Sequence, residues 1–315
     1  MKKLQERDPE GQVPPLAKAP ALAVQFFLIP LAVVGAIVLV YGGFRMLVTS
    51  ERTPEEYLSD VRSGGRERRW PAAFELSRLL AYPETETQHP GIGAALVQTF
   101  SDAKGDDPRV RQYLALAIGR LASPPTGAVG ELVTALDDAD TETQISVIWA
   151  LTALGDASSV DPVAAMYRSD DAGVRKMAVY ALGALPGDRP LTTLRNALDD
   201  PTADVQWNAA VALARHGRTD GLPILRRMLD RAYVERVVSR TPTSGTTVDL
   251  VSEVIVSGLE AVATLGVGGF REEILALSLD DTSLRVREVA IRTLDELSSG
   301  ESRLTEAGPP VWAGR

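Results

Sequence analysis

The chain has 315 residues, 45% of them hydrophobic but only 5% aromatic, and its 33 Lys and Arg against 42 Asp and Glu leave a formal charge of −9. That balance argues against a protein built to hold nucleic acid, which needs a concentrated basic surface, so no nucleic-acid partner is expected. The absence of cysteine excludes disulfides, thiolate metal sites and cysteine nucleophiles, while leaving the compartment open.

Residues 1–20 are polar, Pro-containing and without apolar period, which reads as a disordered tail. Ala21 to Phe44 then runs ALAVQFFLIPLAVVGAIVLVYGGF, 24 residues without a charge. At roughly 36 Å of helix it is long enough to cross a hydrocarbon core of about 30 Å, so a single transmembrane helix over 21–44 is expected, with the lipid bilayer as a partner. A cleaved signal peptide fits less well, because the apolar run begins late, is long and lacks a small-residue cleavage site. Basic residues nearly balance across the span (Lys2, Lys3, Arg7 and Lys18 against Arg45, Arg52, Arg62, Arg66, Arg68 and Arg69). The positive-inside rule therefore tips only slightly towards a cytoplasmic C-terminal domain.

From Thr53 to Ser298 amphipathic helices follow one another. TPEEYLSDVRSG opens with a Thr cap, Pro at the first helical position and two acids in the first turn. The pattern becomes periodic downstream: Val174, Ala178, Ala181 and Leu182 recur as Val205, Ala209, Ala212 and Leu213, each 31 positions on. The same frame is met at Val110, Thr143, Val254 and Val286. Paired acids precede these helices at Asp137-Asp138, Asp170-Asp171, Asp199-Asp200 and Asp280-Asp281. Their recurrence at the repeat period assigns them to helix capping rather than to catalysis. Arg111, Arg175 and Arg287 follow the repeat valine directly, where each can reach an acidic turn; Gln144 and Gln206 keep the polarity without the charge.

The frame breaks once. Val205 and Val254 stand 49 residues apart where 31 is the norm, which places an inserted loop at about 231–248. Arg226, Arg227, Arg231, Arg236 and Arg240 make it locally basic, and insertions in solenoids often bind something; a solvated helix extension with a Thr/Ser/Gly tip is the alternative. Residues 299–315 have no period and read as a second disordered tail.

Paired helices whose second member reads V-R-x-x-A-x-x-A-L after D-D resemble HEAT repeats, and the short period is most similar to the HEAT-like repeats named after phycobilisome lyase subunits. The resemblance covers roughly residues 53–298. It implies an all-α fold, a right-handed α-solenoid of about seven HEAT-like helix pairs, and a scaffold or protein-binding role. Some members of the wider family act in bilin attachment or as alkylpurine DNA glycosylases, but the repeat motif itself carries no chemistry here.

No nucleophile elbow, HExxH or P-loop sequence is present, and His89 and His216 form no zinc constellation. No catalytic residue, metal or cofactor is therefore expected. Counting from the repeat valine, positions two and six beyond it share a face that should line the concave surface, which would gather Ile145, Trp149, Tyr180 and Trp207 into an apolar-aromatic strip. The expectation is a membrane-anchored scaffold or regulatory adaptor for a membrane-associated protein partner, bound through that strip and the basic insertion. The rival is an enzyme or lyase-like subunit holding a planar ligand in the groove.

Overall fold

The computed structural model describes residues 29–48, 52–187, 190–239 and 247–306, all helices and turns. The chain divides into two units at Thr53/Pro54. The first contains α1 (Ile29–Val48). Its Leu31, Val33, Val34, Ile37, Val38, Leu39, Val40 and Tyr41 are all exposed. The transmembrane helix expected over 21–44 is not carried by this structure: among the described residues no helix is long and apolar enough to cross a membrane. Residues 1–28, with the expected N-terminal tail and the start of the span, lie outside the described ones. The side chains described in α1 run only from 30 to 43, about 21 Å of helix.

The second unit is an all-helical repeat solenoid. Its helices are α2 (Pro54–Ser63), α3 (Arg66–Leu79), α4 (Pro83–Gln88), α5 (Ile92–Asp102), α6 (Pro108–Ile118), α7 (Ala128–Thr134) and α8 (Thr141–Leu154). They continue with α9 (Val160–Ala165), α10 (Ala172–Ala184), α11 (Leu191–Ala197), α12 (Ala203–Arg215), α13 (Leu222–Met228), α14 (Arg231–Val238), α15 (Thr247–Leu265), α16 (Arg271–Asp280) and α17 (Leu284–Glu306). Among the described residues seven packed pairs result: α2–α3, α5–α6, α7–α8, α9–α10, α11–α12, α13–α15 and α16–α17. The second helices α3, α6, α8, α10, α12, α15 and α17 pack on one another in an unbroken row, more closely than the first helices do, and so form the inner layer.

Local chemistry sets these boundaries. Asp107, Asp140 and Asp171 cap α6, α8 and α10 by accepting backbone N–H bonds from Arg109, Thr143 and Val174 at 3.0, 2.8 and 3.0 Å, each satisfying an orphan donor of the first turn. Helices α8 and α15 stop at Gly155 and Gly266, whose φ of 67° and 63° suits a residue without Cβ.

Small residues let the inner row close up. Ala117, Ala150, Ala181 and Ala212 occupy one repeat position and are all buried. A Cβ added to Gly183 would stand 2.6 Å from Ala212 Cβ and 2.9 Å from its Cα. On an exposed helix Gly→Ala adds about 1 kcal/mol of stability. Here the two backbones must part, so Gly183→Ala is expected to destabilise by about 1–3 kcal/mol in urea titration; a stabilised variant would contradict this packing.

The acidic turns are joined by arginines from the preceding unit. Arg111 donates from Nε and Nη2 to Asp138, both at 2.7 Å, and from Nη1 to the Asp106 carbonyl of its own turn. Arg175 grips Asp200 at 2.9 and 3.2 Å and also donates to the Ser169 and Asp170 carbonyls at 3.1 and 3.0 Å. Burial opposes ionisation of Asp200, yet the bonds from Arg175 and the Thr202 N–H outweigh it and hold its carboxyl below the usual aspartate range. Those bonds to Asp200 in turn raise the Arg175 guanidinium above its ordinary value. Gln144 and Gln206 donate to the Asp138 and Asp200 carbonyls of their own turns at 2.8 and 2.7 Å.

Two expectations for the insertion and the C-terminal segment need correction. Most of the expected loop over 231–248 is helix: Asp230 caps α14 by accepting from the Tyr233 N–H at 3.1 Å, and Val234 and Val238, one turn apart, are buried. Residues 240–246, including Arg240, lie outside the described residues. Helix α17 runs past Ser298 to Glu306, where a disordered tail was expected; residues 307–315 lie outside.

Candidate functional cleft

The inner layer carries an open cleft of about 620 Å³ shared by α8, α10, α12, α13, α14 and α15. Its walls include Trp149, Met177, Tyr180, Trp207, Val211 and Val254, with Lys176, Asp204, Arg215 and Glu253 as charged members. Repeat spacing explains the convergence: Trp149, Tyr180 and Val211 stand six residues beyond their repeat positions on consecutive second helices. Tyr180 is 41% exposed, and the Arg215 guanidinium lies 5.5 Å over its ring. Arg120 covers Trp149 at 5.8 Å while donating to the Ser77 carbonyl. The Lys176 ammonium is 3.7 Å from Asp204, a half-exposed pair of small energetic weight.

Three of the four strip residues named from sequence thus meet in the cleft. Ile145 does not line it; it is half-buried against the first core cluster, and a Cβ on Gly173 would lie 3.4 Å from its Cδ1. Trp207 lines the cleft but is only 5% exposed, a member of the second core cluster with Ile224, Val234, Val238 and Ile255. Among the described residues its buried indole N–H has no hydrogen-bond partner. Trp207 is therefore a wall of the cleft from within the core, not an exposed anchor.

Of the described arginines at the insertion, Arg231 is part-buried, while Arg226, Arg227 and Arg236 are exposed and engaged with neighbouring groups. Arg231 donates to Asp281 at 2.8 and 2.6 Å, bonds that raise its guanidinium above the ordinary arginine value against its own burial. It thereby supplies, from α14, the link that Arg111 and Arg175 supply in earlier units. Arg226 bonds Glu273 at 2.8 Å and the Gly269 carbonyl at 2.7 Å, and Arg227 stacks 5.8 Å over Tyr233. Arg236 donates to the Ala232 carbonyl at 3.1 Å. Sequence reasoning, which put Lys176 on the same stripe as Tyr180, missed Met177 and Arg215 as cleft members, although Arg215 lies one turn beyond Val211 on one face of α12.

His216 sits at an inter-unit contact, its Nε2 2.9 Å from the Leu182 carbonyl, and His89 Nδ1 lies 2.9 Å from Glu55. Among the described residues no group of three or more His, Cys, Asp or Glu could hold a metal ion.

A family model described as HEAT repeats matches residues 94–183 and 165–241. No curated protein sequence matches the chain significantly. Among solved structures, the complex of CpcE and CpcF of phycocyanin lyase from Nostoc sp. PCC7120 is 16% identical over 79% of this chain and 96% of that one, with a TM-score of 0.48. A designed armadillo repeat protein in complex with the peptide (KR)4 is 16% identical over 78% of this chain and 100% of that one, TM-score 0.42. An engineered protein is 21% identical over 78% and 97%, TM-score 0.42.

Proposed function

We propose that this HEAT-repeat solenoid is a membrane-anchored scaffold or regulatory adaptor that holds a protein partner of a membrane-associated complex in the cleft of its inner layer. The observation that carries the reading is the meeting of Trp149, Tyr180, Met177 and Val211 around an open volume of about 620 Å³. Aromatic residues with arginines beside them are frequent anchors of protein interfaces. Anchoring is supported by the 24 uncharged residues of Ala21 to Phe44 and by the exposed apolar side chains of α1. A helix apolar all round calls for a core or a bilayer, and attachment to one membrane raises effective concentration near partners on it.

A pull-down from detergent-solubilised membranes tests the reading. Tyr180→Ala combined with Arg215→Ala is expected to lose partner recovery by about tenfold, while Arg226→Ala on the far side of α13 retains it. Equal recovery from all three proteins removes the cleft from the assignment, and release of the chain by alkaline carbonate removes the anchor. The same cleft would suit a planar ligand stacked on Trp149 and Tyr180. Saturable quenching of their fluorescence by a small molecule, with no protein recovered, would favour that rival.

A further inference from the structure

In a stacked solenoid each unit covers the face that its predecessor leaves open, so the last unit shows what remains uncovered. Five residues beyond the repeat position of each second helix stand Ala115, Ile148, Val179, Ala210 and Leu259, all fully buried. Their equivalent in α17 is Ile291, which is 52% exposed. Leu284, two turns earlier on the same face, is exposed as well, and so are Leu275 and Leu279 of α16. Among the described residues no eighth pair follows. The end of this solenoid is therefore apolar where a capping unit is normally polar.

The charges around this face are arranged to complement themselves. Arg285, Glu288, Arg292 and Asp295 are all exposed on α17. Arg292 stands 4.0 Å from both Glu260 and Glu296, all three more than half exposed, so little is lost if it pairs elsewhere. The four charges alternate in sign and are placed symmetrically about Ala290. A second α17 crossing antiparallel at that point sets Arg285 opposite Asp295 and Glu288 opposite Arg292, and each pair forms twice. A parallel crossing in register sets like charges together. Neither pattern depends on the cleft.

We propose that the α16–α17 end face is a two-fold interface with a second copy of this chain, formed by antiparallel packing of α17 over Leu284 and Ile291. Isologous pairing of one patch with itself is the commonest route to a closed dimer. The axis that relates two antiparallel helices lying side by side keeps the same flank of both on one side. The inner layers of the two solenoids consequently meet edge to edge.

The test uses the full chain in detergent micelles, with mass read by light scattering and sedimentation. Wild type is expected as a dimer at micromolar concentration. Ile291→Glu, at an exposed position that leaves the helical melt unchanged, should raise the dissociation constant by about tenfold or more, as should Glu288→Arg, whereas Glu288→Arg/Arg292→Glu should return it to within about threefold of wild type. Because the chain has no cysteine, Ile291→Cys provides a single thiol beside the axis, which should oxidise to a covalent dimer while Glu142→Cys does not. A monomeric wild type, or a charge swap that restores nothing, overturns the proposal. So does a dimer that forms only after removal of residues 307–315, since the face then belongs to the chain's own C-terminal segment.

Discussion

Arg175→Ala is expected to lower the free energy of unfolding by about 3–5 kcal/mol in urea titration. The variant leaves the Asp200 carboxylate buried with the Thr202 N–H at 2.9 Å and the Tyr167 hydroxyl as its remaining donors. It also strips a donor from the Ser169 and Asp170 carbonyls. An exposed pair such as Arg78–Glu75, at 3.1 Å, should change stability by less than about 1 kcal/mol when broken. Magnitude thus separates a structural link from a solvated arginine, and a loss below about 1 kcal/mol at Arg175 refutes the link. Acid titration gives the same contrast. The folded-state value of Asp200 lies below its unfolded value, so its contribution is fully present above the ordinary aspartate range near pH 4 and is lost as pH falls through the folded value. Asp200→Asn should flatten that acid limb.

Trp207→Ala is expected to destabilise by about 3–5 kcal/mol, the range for removing a large aromatic side chain from a core. Trp207→Phe separates packing from polarity. It keeps an aromatic ring among Ile224, Val234 and Ile255 and deletes an indole N–H that has no partner. An unpaired buried donor costs about 1–3 kcal/mol, which offsets the smaller ring. Phe is therefore expected within about 1 kcal/mol of wild type at this position. A Phe variant as unstable as the Ala variant would mean that the N–H has a partner after all.

The helix pairs were legible because a fixed period places buried residues independently of what surrounds them. The acidic turns were legible for the same reason, their carboxylates recurring where helix starts need acceptors. Legibility failed where the environment of one repeat position differs between units. Trp207 and Lys176 hold equivalent positions, yet one is core and the other half-exposed, because what packs against α12 is the enlarged sixth unit. The helical character of α14 was present in Asp230 and in the spacing of Val234 and Val238, which suit the helix extension rather than the loop, two readings that the Thr, Ser and Gly residues that follow left open. Arg231 escaped notice as a link to Asp281 because its offset from the repeat valine matches no other arginine; only the fold brings it into line. Of the apolar span at 21–44, the structure describes the part from Ile29 onward.

The links formed by Arg111, Arg175 and Arg231 are also spaced in a pattern along the molecule. Each clamps one unit to the next, the second to the third, the fourth to the fifth and the sixth to the seventh. At the two joints between these doublets stand Gln144 and Gln206, whose side chains donate to carbonyls of their own units; the Arg195–Asp220 pair that crosses the second joint is part-exposed and contributes little. The arginine links between units therefore alternate along this part of the solenoid. The cleft, running from Trp149 of the third unit to Ser257 of the sixth, spans both joints, so its walls are held to one another there by packing of the inner row rather than by an arginine link of this kind.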